Sequence, residues 1–256
     1  MSLQACADVL ERGDPDRFRA VLAAPVAARP VLLPLYAFNL EVARAPWVSA
    51  EVMIGEMRLQ WWRDLLDEIV AGGTVRKHEV ATPLSGVLDA DGAKVLIPLV
   101  EARRLDLQRD PFEDRAAFDQ YLQDTSGALF WTAGRALGAQ AAAEPVFRDA
   151  GQASGLAAWL LAVPELEARG RVPLPDGRAA AVQALARDGL GWLVRARQGF
   201  GAVDRLARSA LLSGWRASVV LGRAAQVPGR VADGQLAESE AARRLALLRA
   251  SMTRRI

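Results

Sequence analysis

Apolar residues recur at intervals of three and four along almost the whole chain, and proline or glycine interrupts them repeatedly. Few stretches alternate as a strand does, so this pattern predicts helices joined by short connections rather than any sheet. Asp14-Pro15 reads as an N-cap followed by a first-turn proline. Pro25 opens a further helix through Val31, Leu35, Phe38 and Val42, with Pro30 and Pro34 expected to break or kink its first turns. Ser49 is placed to cap a long helix over 50–71, whose predicted inward stripe is Ile54, Met57, Trp61, Leu65 and Ile69, ended by Gly72-Gly73. Further helices are expected over 84–88, 93–108, 114–138, 145–163, 178–198, 203–225 and 235–252. No repeat of 20–50 residues stands out, which argues against a solenoid. The linkers are short, so residues 1–256 are expected to form a single all-α domain.

One histidine, His78, and one cysteine, Cys6, cannot build a usual zinc site or an internal disulfide. Any Ser-His or Cys-His hydrolase would hang on His78 alone, which sits in a charged loop and reads as a surface residue. Cys6 reads as an N-terminal residue without a partner. The 32 basic side chains include only two lysines, Lys77 and Lys94, against 30 acidic ones. A net charge of +2 with mixed signs is no nucleic-acid footprint. The N-terminal stretch lacks a basic region followed by an apolar core, and the longest uncharged stretch, 150–164, is shorter than a bilayer requires. The expected location is cytoplasmic, with peripheral contact on the inner membrane face left open.

Several ordered pieces resemble the squalene/phytoene synthase family. They are Arg29 with Leu35-Tyr36-Ala37-Phe38, the helix Arg58-Leu59-Gln60-Trp61-Trp62-Arg63-Asp64, and Arg103-Arg104-Leu105-Asp106-Leu107. Asp110-Pro111-Phe112, Tyr121, the small-residue kink Ser126-Gly127-Ala128, Gly151-Gln152-Ala153 and Gly170-Arg171 with Leu174-Pro175 complete the set. The likeness is clear over 14–175 and fades after 178. It implies an all-α isoprenoid-synthase-type fold around a central cavity, and enzymes that join two prenyl diphosphates head to head.

The resemblance also implies two aspartate clusters that hold magnesium against the diphosphates. Their positions fall here on Ala43, Arg44 and Trp47, and on Ala158, Leu161, Ala162, Glu165 and Leu166. Magnesium takes hard oxygen ligands, and only Glu165 offers one. Without the metal the leaving diphosphate loses its main electrostatic stabilisation. The pattern is similar to a divergent subgroup that includes the mitochondrial assembly factor for respiratory complex I, and shares its helix Met57-Arg58-Leu59-Gln60-Trp61-Trp62. The resemblance therefore implies no catalytic residue and no cofactor, with membrane-complex subunits or assembly proteins as partners. Two alternatives stand beside it: a head-to-head prenyl transferase using magnesium at an atypical site, and a protein binding a prenyl chain or other lipid.

Eight residues are candidates for a residual pocket. Arg44 is expected to point toward the former metal position, where it can meet a phosphate or lipid headgroup, or else to pair with Glu41 or Glu165, or simply to be exposed. Trp47 fills former cavity volume. Tyr36, Asn39, Tyr121 and Gln152 are polar groups on apolar faces, and serve either as pocket lining or as satisfied core groups. Glu165 and Arg171 lie near the diphosphate end. Gly127, Ala128, Ala133 and Gly134 let helices approach closely. Asp64, Asp67 and Glu68 are spaced to converge, but share a polar face with Glu56, Gln60 and Arg63. Val203 to Ala225, with Leu206, Ala210, Leu211, Trp215, Val219 and Leu221 on one side and Arg205, Arg208, Arg216 and Arg223 around them, reads either as a stripe packed into the core, the usual fate of an amphipathic helix, or as a membrane-docking helix. The last helix adds Arg243, Arg244 and Arg249.

Overall fold

The computed structural model describes residues 3–49 and 51–253, and among these there is no strand. The helices are α1 (Leu3–Gly13), α2 (Pro15–Ala23), α3 (Arg29–Arg44), α4 (Val52–Val70), α5 (Ala81–Ser85) and α6 (Ala90–Ala102). They continue as α7 (Arg115–Leu122), α8 (Ala128–Ala136), α9 (Glu144–Ala168), α10 (Ala179–Gly199), α11 (Ala217–Gln226) and α12 (Glu240–Thr253). Local chemistry sets several starts. The carboxylates of Asp14, Asp89 and Asp114 accept from the backbone N–H of Arg17, Gly92 and Ala117 at 3.0, 2.8 and 2.8 Å.

The helix expected from Pro25 is interrupted before Pro30, as a 3-10 turn, Val26–Ala28, precedes α3, while Pro34 does not break α3. Pro30 lies in the first turn, where a missing N–H costs no intrahelical bond, and Pro34 forfeits only the bond back to the opening turn. The helix is buried continuously from Leu32 to Leu40. Val26–Trp47 is long and apolar enough to span a membrane, but 61% of its apolar window is buried inside the protein, as in a core helix. Around α3 pack α1, α2 and α8, while α9 packs against α8, α10 and α11. Buried residues from Cys6 to Ala250 belong to one continuous core.

Three further expectations are corrected. First, the N-terminal part of α4 turns a different face inward from the predicted stripe, whose Leu65 and Ile69 are buried as expected. The buried residues of α4 are Gly55, Leu59, Trp62, Leu65, Leu66 and Ile69, while Ile54 and Met57 face outward. Gly55 is the reason at the N-terminal end: a Cβ there would meet Leu107 Cδ2 at 2.3 Å, so the bare backbone admits the leucine. Trp62, not Trp61, then enters the core, edge-on to Phe38 at 5.3 Å. Second, the helix expected over 114–138 carries a π-helical segment at Gln123–Gly127. Close packing accompanies it, since a Cβ on Gly151 of α9 would lie 2.5 Å from the Ser126 carbonyl oxygen.

Third, the single helix expected over 203–225 is replaced by a 3-10 segment, Ala207–Gly214, followed by α11. Ala210, Leu211, Trp215 and Leu221 are buried in the core, so this stripe is no membrane face; Leu206 and Val219 stay exposed. Arg216 holds Asp16 at 2.7 Å and Glu238 at 2.6 Å, Arg208 donates to the Val203 carbonyl, and Arg223 donates to those of Leu236 and Ala237.

Candidate functional site

Two of the positions where the family's aspartate clusters fall, Trp47 and Glu165, are joined at one end of the fold, through cations and an indole. Trp47 follows α3 in a short 3-10 turn, Ala45–Trp47, and is exposed, so it does not fill the interior as expected. The guanidinium of Arg169, just past α9, lies over its ring at 4.8 Å, and that of Arg171 at 5.6 Å. Stacking of this kind is favourable because the ring face is negative. Glu165, the one carboxylate at a cluster position, is exposed and held by Arg169 at 2.5 Å. A divalent cation brought here would meet two guanidinium groups and a single carboxylate already paired. The donor set does not fit magnesium.

Behind Trp47 lies a polar network that sequence reading missed. Asp106, in the 3-10 segment Arg103–Leu107, is buried, and so is Arg171. Arg103 reaches the Asp106 carboxylate at 3.0 Å, and the Tyr121 hydroxyl donates to it at 2.9 and 3.0 Å. Arg103 also donates to the Tyr121 oxygen at 2.6 Å. Arg171 donates to the backbone carbonyls of Asp106 and Leu105, both at 3.2 Å, and lies 3.4 Å from the Asp106 carboxylate. Burial pushes the Tyr121 hydroxyl well above its ordinary range, keeping it a neutral donor despite the nearby cations. Around it Phe112, Phe118 and Trp159 stack edge to face, and Trp159 Nε1 donates to the Pro173 carbonyl at 2.8 Å. The network fastens the loops 103–112 and 170–175 to α7 and α9. The charged residues in this cluster that were not among the candidates are Arg103 and Asp106, three positions apart in one of the stretches that carry the family resemblance.

The eight candidates therefore divide. Glu165, Trp47, Arg171 and Tyr121 are joined through Arg169 and Asp106. Tyr36 lies elsewhere: its ring is under Arg17 at 5.2 Å, and its hydroxyl sits 3.2 Å from both the Ala210 carbonyl and Ser213 Oγ. Burial raises its pKa, so it stays neutral. Gln152 Oε1 accepts from the Gln123 amide at 2.5 Å, on the π-helical segment, its own amide N–H₂ donates to the Asp119 carbonyl at 3.5 Å, and Asn39 is buried in α3. Arg44 is exposed and lies along α1, against Gly13, instead of pointing to the former metal position. Glu41, one of its expected partners, holds Arg58 at 3.3 Å. Near Tyr36, Ala158 and Leu161 of the second cluster help line a pocket of about 130 Å³ with Arg17, Ser154, Ser213 and Arg216. Sites for drug-sized ligands usually span about 300–1,000 Å³, so this pocket is smaller than an ordinary ligand site.

The carboxylates on α4 do not converge. Asp64 accepts from Gln60 at 2.6 Å, Asp67 pairs with Arg63, and Glu68 pairs with Arg76 at 2.5 Å, which holds its carboxyl below the usual range. No group of three or more His, Cys, Asp or Glu side chains among the described residues is placed to hold a metal ion.

The outward face of α4 is the other unusual feature. Met53 and Met57 are 73% and 67% exposed, and Val48, Val52 and Ile54 extend the apolar surface. A groove of about 370 Å³ opens beside it, lined by Ile54, Met57, Trp61, Trp62 and His78, with Glu41 and Arg58 as polar groups. His78 is thus not a plain surface residue: its ring packs 5.0 Å from Trp61 and 5.5 Å from Trp62, and its Nδ1 accepts from the Val80 N–H at 3.2 Å.

Comparison with known proteins agrees with this geometry. The model of the squalene/phytoene synthase family matches residues 10–255. The chain is similar to NADH dehydrogenase (ubiquinone) complex I, assembly factor 6, from Bos taurus, with 24% identity over 183 residues, covering 66% of this chain and 52% of that protein. The Homo sapiens counterpart is 25% identical over 172 residues, with the same coverage. The chain spans about half the length of these curated relatives. Among solved structures, a dehydrosqualene synthase in complex with ligand superposes with a TM-score of 0.79 at 14% identity, covering 98% of this chain and 95% of that one. The squalene synthase HpnC from Alicyclobacillus acidocaldarius gives 0.71 at 16% identity, covering 88% and 93%. These two establish the isoprenoid-synthase-type fold.

Proposed function

The chain belongs to the squalene/phytoene synthase family, and from that premise we propose that it is a non-catalytic member acting in the assembly of respiratory complex I. The observation that carries this reading is the pairing of Trp47 with Arg169 and Arg171 where the family's resemblance places metal-holding aspartates. Magnesium has no ligand set there, so head-to-head condensation through it has no support in these residues. The relatives named as complex I assembly factors supply the direction of the function.

An assembly protein works by holding another chain, and the face of α4 offers the surface for it. Contiguous exposed apolar area beyond scattered single residues marks interaction sites. Aromatic, Met and Arg side chains, which line the groove, are the types enriched where proteins meet. We assign this face to an apolar segment of a complex I subunit or of another assembly protein. The test is deletion of the gene in a host that makes complex I, with assembled complex measured on native gels. Deletion is expected to deplete the complex, and the native chain to restore it. The variant Ile54→Asp/Met57→Asp is expected to fold and fail to restore it. Normal complex levels after deletion overturn the assembly reading, while full rescue by the variant overturns the assigned face.

A further inference from the structure

Helix α12 presents its apolar side outward. At about 100° per residue, Leu245, Leu248 and Met252 fall within an arc of roughly 60°. They are 57%, 55% and 76% exposed. The opposite side, which faces the protein, carries Ala246, Leu247 and Ala250 with Arg243, and Arg243 is tied to Asp16 of α2. A surface helix of a water-soluble protein turns most of its larger apolar residues inward, whereas here Leu247 alone is inward and Leu245, Leu248 and Met252 are outward.

Charge frames the stripe on both flanks. Arg244 and Arg249 project about 70° to either side of its centre. Arg244 is well exposed, and its pair with Glu240 at 3.2 Å is a surface one, worth little. Glu240, the single acidic residue of α12, is shared with Arg19 and Arg243 on the protein-facing flank. The sequence continues with Arg254 and Arg255. From residue 240 onward, five arginines stand against one glutamate.

We propose that α12 is an interfacial helix that docks the protein on the surface of an anionic lipid bilayer. Leu245, Leu248 and Met252 enter the boundary between headgroups and acyl chains. Arg244 and Arg249 lie at headgroup height, their aliphatic stems along the apolar edge and their guanidinium groups on lipid phosphates. Charge decides between this occupant and a second copy of the chain. Two such stripes laid together bring arginine against arginine on both flanks, whereas an anionic surface meets every one of them with opposite charge. The docking helix is thus not the segment over 203–225, whose stripe lies in the core. The inference stands apart from the complex I reading, because it needs only the helix and a bilayer.

The test is co-sedimentation of the full chain with vesicles of phosphatidylcholine alone and of phosphatidylcholine with phosphatidylglycerol, at low and high salt. Binding is expected to the anionic vesicles, weakened by salt. Arg244→Gln/Arg249→Gln is expected to weaken it roughly thirtyfold, from about fivefold per arginine. Leu245→Gln/Leu248→Gln/Met252→Gln is expected to weaken it at least about tenfold. Melting curves should stay near those of the native chain, since all five side chains face solvent or the flanks. No sedimentation with anionic vesicles, or undiminished binding by the leucine-methionine variant, overturns the proposal. Sedimentation velocity gives a further outcome: a dimer that the same variant dissolves makes the occupant a second copy, which also overturns it.

Discussion

Replacing Asp106 by asparagine isolates the contribution of the buried network. The substitution keeps the shape of the side chain while removing the charge that faces Arg103 at 3.0 Å and Arg171 at 3.4 Å. It also presents an amide N–H₂ where the Tyr121 hydroxyl and two guanidinium groups now donate. Both arginines stay in place, without the carboxylate that compensates them. Removing one partner of a buried pair costs about 3–5 kcal/mol. For a chain of this size each kcal/mol shifts Tm by about 2–4 °C, so Asp106→Asn is expected to melt about 6–20 °C lower. Urea unfolding followed by tryptophan fluorescence gives the free energy directly, with Trp159 in the adjoining ring cluster as a reporter. Asp110→Asn is the control, an exposed loop carboxylate expected to change stability by no more than about 0.5 kcal/mol. A loss below about 1 kcal/mol for Asp106→Asn refutes the argument that this carboxylate fastens the two loops.

Three other outcomes follow from the packing and the chemistry. Gly151→Ala places a Cβ 2.5 Å from the Ser126 carbonyl oxygen and 2.9 Å from Gly127 Cα, backbone that cannot swing aside. It is expected to cost at least about 1–3 kcal/mol in urea unfolding. Burial, with Glu79 adding to it, pushes the Cys6 thiol up to about 11, so native protein at pH 8 is expected to react with a thiol reagent far more slowly than unfolded protein. Because the folded pKa lies above the ordinary value of 9.0, stability from this group is complete below pH 9 and falls as pH rises from about 9 through about 11, which a pH series of melting curves reads. Ala43→Asp/Arg44→Asp/Ala162→Asp is expected to gain no turnover of prenyl diphosphates, because Arg169 and Arg171 still stack on Trp47.

Much of the backbone plan is legible where one residue decides it. Asp14 announces a helix start by its side-chain chemistry and its cap is present, whereas Asp89, whose cap starts α6 at Ala90, is easily read as part of a turn before a helix at 93. The facing of α4 is not legible in the same way. Its sequence holds two apolar stripes offset by about one residue, one through Trp61 and one through Trp62, and periodicity alone ranks the first higher. The choice between them is made by Gly55, which a hydrophobicity pattern scores as nothing but which admits Leu107 from 52 positions away. Loss of carboxylates at Ala43, Arg44, Ala162 and Leu166 is plain in the sequence. What replaced them is not, because the Trp47 contacts come from Arg169 and Arg171, more than 120 residues later. Asp106 lies in the stretch Arg103-Arg104-Leu105-Asp106-Leu107, which carries the family resemblance but shows no role for the carboxylate until Arg171 and Tyr121 are folded onto it.

The central claim is that this chain keeps the synthase fold without its metal-assisted chemistry, and pyrophosphate release measures that directly. The purified full chain is incubated with farnesyl and geranylgeranyl diphosphate, with and without magnesium, and a squalene or phytoene synthase serves as the positive control. Release at the rate of the protein-free blank, in both conditions, is the result expected from Ala43, Arg44, Trp47 and the arginines stacked against them. Magnesium-dependent release above the blank that scales with the amount of chain contradicts the account.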